Sequence, residues 1–236
     1  MDERDTSIEQ KWLYEERAKM AIANFQRRNI NGQYVPGRKE ALAAVLDLIP
    51  DGALVVRGDS VSVDQVGVMP ALKERGKNKI IDPFERDEAG FLVPEVQKHR
   101  PEMQRAAFSA DVFIAGSNAI TLDGKIVNTD GMGNRVSAMI FGPKKVILVV
   151  GANKIVKNVE EGLERIRQVA APMNNKRHFL KHHHEQFGDL PCVRTGKCSD
   201  CTNDFRICRN TVIIEGSFAW VKGRINVVIV GEELGI

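Results

Sequence analysis

Residues 145–154 read Lys145-Val146-Ile147-Leu148-Val149-Val150-Gly151-Ala152-Asn153-Lys154. The apolar run Val146 to Val150 is too short for a buried helix and has no polar alternate face, and most of it is β-branched. It predicts a strand covered on both sides, as in a parallel sheet, with Gly151 opening the turn that follows. The same pattern recurs at Ala53 to Val56, Lys79 to Ile81, Asp111 to Ala115, Thr211 to Ile214 and Asn226 to Val230. Helical stretches separate these runs, so the fold class is α/β, a mostly parallel sheet covered by helices.

Two departures from that rhythm are visible. Residues 120–127 alternate apolar and polar around Asp123-Gly124, which predicts a hairpin with a two-residue turn, inserted in the α/β pattern. The N-terminus begins with Ser7-Ile8-Glu9-Gln10, a Ser-x-x-Gln capping box, and runs without Gly or Pro to about Asn29. A long helix is expected there, ended by Asn31-Gly32. Val35-Pro36-Gly37 then leads into a second helix from Arg38 to about Leu48, stopped by Pro50. Residues 1–50 are thus an N-terminal helical extension packed on the same domain. Residues 51–236 are the α/β domain, with a cysteine-rich lobe at 176–210.

Composition narrows the function classes. With 43% hydrophobic residues in 236, the chain can bury a core without disulfides, and disordered or fibrous classes are excluded. Its longest apolar runs are far shorter than the roughly 20 residues that span a bilayer, and the charged N-terminus has no signal-peptide core. A cytoplasmic protein without a membrane partner is expected. Lys and Arg exceed Asp and Glu by only 34 to 31. That excess is concentrated between Lys176 and Arg209, where only Phe179, Phe187 and Phe205 offer stacking surfaces, so nucleic acid is not the expected partner.

Cys192, Cys198, Cys201 and Cys208 all fall in that window, spaced C-x5-C-x2-C-x6-C. Four thiols crowded into a polar, basic segment point to metal or cluster ligation rather than to core packing. Zinc and an oxidised 4Fe–4S cluster each carry about −2 with four thiolates, so Arg194, Lys197, Arg206 and Arg209 would compensate either. A zinc ribbon usually presents two C-x2-C pairs and only Cys198 and Cys201 make one; the bacterial ferredoxin run is not met either, and an iron–sulfur cluster is favoured over zinc. The nearby His178, His182, His183 and His184 suggest metal, with His178 and His182 on one face if that stretch is helical, but they are read as a solvated turn. Four cysteines already complete one coordination sphere.

After the hairpin comes Thr129-Asp130-Gly131-Met132-Gly133-Asn134-Arg135-Val136-Ser137, then a helix to Phe141. Neither a dinucleotide fingerprint nor a Walker A motif is met. The glycines permit backbone N–H groups to converge at a helix N-terminus beside Arg135, so Gly131, Gly133, Asn134 and Arg135 form a candidate anion site. Ser60, Ser117, Asn118 and Lys154 follow three other strands and join the candidate ligand set, because ligands of parallel sheets bind beyond the strands' carboxyl ends. A general base is harder to find. Asp59, Asp64, Asp123 and Asp130 are the candidates, with Asp123 explained by its turn and Asp130 equally able to cap the helix.

The stretches Ala110 to Thr121, Asp123 to Asn128, Gly131 to Arg135 and Gly142 to Val156, with Ser60 and Val63 to Gly67, resemble the lactate-utilization (LUD) domain family from about residue 10 to residue 230. The resemblance implies a fold related to ribose-phosphate isomerases and CoA transferases. It also implies a link to bacterial oxidation of lactate or similar organic acids through iron–sulfur partner proteins. It carries over no set of catalytic residues. Two functions follow as expectations. One is an accessory protein of organic acid metabolism that binds a small anionic metabolite and a cysteine-ligated iron–sulfur cluster. The other is an isomerase- or transferase-like enzyme acting on a phosphorylated or carboxylated metabolite, with a structural four-cysteine zinc. Whether the chain is an enzyme, and whether it forms a homo-oligomer, stay open at this point.

Overall fold

The computed structural model describes residues 3–236. Ten strands form two sheets. The central sheet holds β1 (Asn31–Val35), β2 (Leu54–Arg57), β3 (Lys79–Ile81), β4 (Val112–Ala115), β7 (Lys145–Gly151) and β10 (Ile225–Val230), in the order β1-β10-β7-β4-β2-β3. All of its pairings are parallel. The second sheet has the order β8-β5-β6-β9, from β5 (Ala119–Thr121), β6 (Ile126–Asp130), β8 (Ile155–Val156) and β9 (Asn210–Ile214).

The period-2 geometry of β7 divides the core. Val146, Leu148 and Val150 face one cluster with Ala18, Ala21 and Phe25 of α1 (Ser7–Arg27) and with Ile120, Ile126 and Ile214 of the second sheet. Ile147 and Val149 face the other, against α2 (Arg38–Asp47), α3 (Val61–Val66) and α4 (Val68–Arg75). A strand buried on both faces leaves no room for polar alternation, which is why the opening run is wholly apolar. Phe25 is completely buried, worth about 2–3 kcal/mol of apolar transfer, and it ties α1 to the sheet.

Four local expectations differ from the structure. The capping box does not form: Thr6 is the N-cap without a side-chain bond, and Ser7 N–H donates to Asp5 Oδ1 at 3.0 Å. The segment after α1 is an edge strand, β1, where a turn is expected. Its polar sequence Asn-Gly-Gln-Tyr-Val gives no apolar run, but its backbone pairs in register with β10. Thr211–Ile214 belongs to β9, antiparallel to β6, not to the parallel set. The hairpin turn has three residues, since Thr121 N–H donates to Lys125 O across Leu122, Asp123 and Gly124, with Gly124 at φ 83°. The hairpin is therefore the centre of a second sheet and not an isolated insertion.

The remaining helices are α5 (Pro94–Arg105), α6 (Asn134–Ile140), α7 (Val159–Arg165), α8 (Ala171–Lys181) and α9 (Pro191–Thr195). Among the described residues no helix is long and apolar enough to cross a membrane.

Candidate functional site

The carboxyl ends of β2, β4 and β7 lie side by side because those strands are neighbours in the parallel sheet. The loops leaving them meet β6 and α8 around a cavity of about 200 Å³. Ser60, Ser117, Asn118, Gly131, Asn134, Arg135 and Lys154 all line it; Gly133 does not. The two loops nearest the sheet touch, for a Cβ on Gly116 would stand 2.7 Å from Ser60 Oγ. Glycine is required there by close approach, not by φ.

Most of the polar groups expected to hold a ligand are consumed by the fold. Arg135 donates from Nη1 to Gly116 O at 3.2 Å and Asn128 Oδ1 at 2.8 Å, and from Nη2 to Asn118 Oδ1 at 3.3 Å and Thr129 O at 2.9 Å. It is a half-buried clamp between the loops after β4 and β6. The N-terminus of α6 is likewise filled, because Asp130 Oδ2 accepts from Arg135 N–H at 2.9 Å and Val136 N–H at 3.1 Å. The glycine loop is thus capped by its own carboxylate, and two of the backbone donors expected to face an anion are already taken. Ser117 Oγ donates to Ala119 O at 2.8 Å and accepts from Asn128 Nδ2 at 3.1 Å. Ser60 Oγ caps α3 by accepting from Val63 N–H at 3.3 Å.

Lys154 is different. Its side chain is 4% exposed at the floor of the cavity, with Ser62 Oγ at 3.1 Å as the acceptor given to Nζ. Burial, with Arg165 and Arg135 nearby, pulls its pKa from 10.5 to about 7. An ammonium has three donors, so capacity for a ligand remains. Across the cavity Arg177 grips Asp59, Nη2 to Oδ1 at 2.9 Å and Nη1 to Oδ2 at 3.2 Å. Burial pushes the Asp59 carboxyl up, but Arg177 more than reverses this and leaves it below the usual carboxylate range. With Arg100 also on the wall, four cationic side chains face two carboxylates, Asp59 and Asp130. The cavity carries a net positive charge and suits a small carboxylate or phosphate.

The other candidate bases are all engaged. Asp64 accepts from Arg57 at 2.6 Å, and Asp123 pairs with Thr121, Lys125 and Arg28. The group that titrates near neutrality is Lys154, which sequence reasoning placed among the ligand residues but not as a base.

Cys192, Cys198, Cys201 and Cys208 line a second cavity of about 120 Å³, with Arg167, Arg206 and Arg209. All four are free and half-buried. Burial raises the thiols of Cys192 and Cys208. Asn175 Nδ2 donates to Cys192 Sγ at 3.5 Å, while its buried Oδ1 has no partner, so this amide is committed to the sulfur. Arg206 donates to the carbonyls of Cys201 and Cys208 and closes the segment on itself. Tetrahedral zinc would hold its thiolates about 3.8 Å apart. Among the described residues, the one set of three or more candidate ligands drawn within 4.8 Å is made of histidines, not of these sulfurs. One N–H···S donor and several arginines surround these sulfurs, the kind of setting that stabilises thiolate.

The histidines are not the solvated turn expected. His182 is buried, and His178 and His184 are half-buried. His178 stacks on Phe187 with ring centroids 5.1 Å apart and lines the first cavity. His99 lies elsewhere, a half-buried helix residue 3.3 Å from Glu95.

A family model of the LUD domain matches residues 18–230. Among solved structures the chain is similar to a DUF162 family protein from Deinococcus radiodurans, at 16% identity and a TM-score of 0.48, over 93% of this chain and 97% of that one. It is also similar to eIF2B delta from Chaetomium thermophilum, at 16% identity and a TM-score of 0.32, over 64% of this chain and 54% of that one. No curated protein matches. The family match runs from the buried half of α1 to the last central strand and takes in both cavities, so this chain belongs to the LUD domain family.

Proposed function

We propose that the chain is a LUD-domain protein of organic acid metabolism that binds a small anionic metabolite in the cleft and an iron–sulfur cluster on Cys192, Cys198, Cys201 and Cys208. The observation that carries this reading is Cys208, which lines both cavities. A cluster on that wall would adjoin the bound anion, and iron–sulfur redox partner proteins would exchange electrons with it. Lys154 and Arg177 supply the charge that attracts the anion, and the clamp of Arg135 fixes the loops around it. When bound, the cluster supplies one-electron chemistry.

Protein purified and kept anaerobic is expected to be brown, with stoichiometric iron and sulfide. Lactate, a sugar phosphate and a CoA ester are the ligands to titrate by calorimetry. Cys201→Ser should lose the colour and increase proteolysis between Lys176 and Arg209, because the metal site and the segment's order are coupled. Colourless protein with stoichiometric zinc would replace iron but keep four-thiolate ligation; absence of both metals would overturn it.

The isomerase- or transferase-like reading is favoured by one observation, the Lys154 amine buried in the cleft with Ser62 Oγ as acceptor, a burial that pulls its pKa to about 7. At neutral pH about half of such amines are unprotonated, so Lys154 could take a proton from a bound carboxylic or phosphorylated substrate. Turnover by zinc-loaded, iron-free protein would select this reading.

A further inference from the structure

Helix α8 delivers His178 and ends at its C-cap, His182. The next residue, His183, has φ 54°, a left-handed conformation that costs energy for a residue with a Cβ. That bend turns the chain back, so that His184 N–H donates to His178 O at 3.2 Å. The His183 ring is left outside, stacked on Phe91 at 4.5 Å with Nε2 3.0 Å from Ala89 O. The other three rings converge, and one nitrogen from each lies within 4.8 Å of the others.

The closest approach is between two like atoms, His178 Nδ1 and His182 Nδ1, 3.1 Å apart. Two neutral imidazoles can meet this way only if one carries its proton on Nδ1, or if a cation takes that proton's place. Two imidazole nitrogens on one tetrahedral ion, each at about 2.0–2.1 Å, stand about 3.3–3.4 Å apart, close to the observed contact. The rings of His178 and His182 are near perpendicular, at 84°, and the His184 ring is 5.8 Å and 6.2 Å from theirs.

We infer that His178, His182 and His184 bind one divalent late-transition-metal ion, with zinc the ion to test. Three imidazoles bring no charge, and the nearby guanidiniums of Arg86 and Arg177 oppose a cation. Arg177 is offset by Asp59, and Arg86 is turned to Gly90 O at 2.7 Å. Three protein ligands leave a tetrahedral ion one position, which this electrostatic setting reserves for an anion. His178 also lines the cleft, so the anion held there is the natural fourth ligand; that clause rests on the proposed function, as does the filled cysteine centre from which the test starts.

The test is calorimetric titration of zinc into protein whose cysteine centre is already filled, repeated with cobalt and followed by absorbance. One further equivalent should bind with micromolar affinity or better. Its cobalt form should show weak ligand-field bands without thiolate charge transfer. His184→Ala should weaken this binding at least about tenfold, and His183→Ala should leave it unchanged, while the spectrum of the cysteine centre stays the same in both. No further equivalent, thiolate charge transfer from the added ion, or wild-type affinity in His184→Ala would overturn the site. Imidazole nitrogen NMR of the wild type is independent of folding in the variants. Zinc should shift His178, His182 and His184 together, and shifts confined to His99 and His183 would refute the assignment.

Discussion

Lys154→Met is expected to make the protein more stable while abolishing anion binding. In the folded chain the amine gives up its proton at about 7, against 10.5 for an ordinary lysine. Between those values the unfolded chain binds more protons than the folded one, so stability rises with pH across that window. Below about 7 the full cost of burying the ammonium is present, and above about 10.5 it is gone. At 1.36 kcal/mol per unit the cost is about 5 kcal/mol. Methionine fills a similar volume without charge but forfeits the bond to Ser62 Oγ, about 1 kcal/mol. The net gain of about 3–4 kcal/mol at pH 6 corresponds to a rise in Tm of roughly 6–15 °C for a chain of this size. Scanning calorimetry of both proteins at pH 6, 7.5 and 9 measures it, and the gap between them should narrow as pH rises. A variant less stable than wild type at pH 6, or a gap independent of pH, would show that Lys154 is not held at a cost and would remove the argument that it is kept for a ligand.

Arg135→Ala should destabilise by about 3 kcal/mol or more, because it strands the buried acceptors of the loops after β4 and β6; the urea midpoint should fall at unchanged m-value. Gly142→Ala should cost several kcal/mol, about 2–4, since φ is 112° and the new Cβ would stand 2.6 Å from Phe108 O and 2.8 Å from its Cα; the same denaturation assay reads it.

How far the fold is legible depends on what each strand touches. The four inner strands of the central sheet, β10, β7, β4 and β2, have helices or the second sheet against both faces, so each carries a run of apolar residues and only Asn226, Lys145 and Arg57 interrupt or end them. Edge strand β1 has a single neighbour and only partial burial, so Asn31-Gly32-Gln33 resembles a turn until β10 is placed beside it. β9 is apolar in Val212 to Ile214 but stays mostly exposed on β6, and its run cannot tell a parallel from an antiparallel neighbour. For the histidines, part of their setting is remote in sequence. Arg86, Ala89 and Phe91 come from a loop about ninety residues earlier, while their sequence neighbours Lys181 and Glu185 suggest solvent.

The candidate ligand residues separate by a physical criterion that sequence cannot apply. A polar side chain at a strand end serves either the loop or a ligand, and its hydrogen-bond capacity decides which. Arg135 has five donor hydrogens, and the fold directs four bonds from them to its own acceptors. Asp130 spends its carboxylate on the helix behind it, and Ser117 and Asn118 bond within and between their own loops. These residues make the cleft; they are not held in reserve within it. Lys154 sits in the same cavity with three donors and Ser62 to receive one, in a place where a charge is expensive to bury. A group that the fold both desolvates and leaves under-bonded needs a reason outside the fold, and an anion entering from the side of Arg177 supplies one. The same reasoning applies to His178 and His182, whose facing nitrogens lack a shared acceptor, and it predicts that ligand contacts will be found where bonding capacity is left over, not where the sequence is richest in glycine.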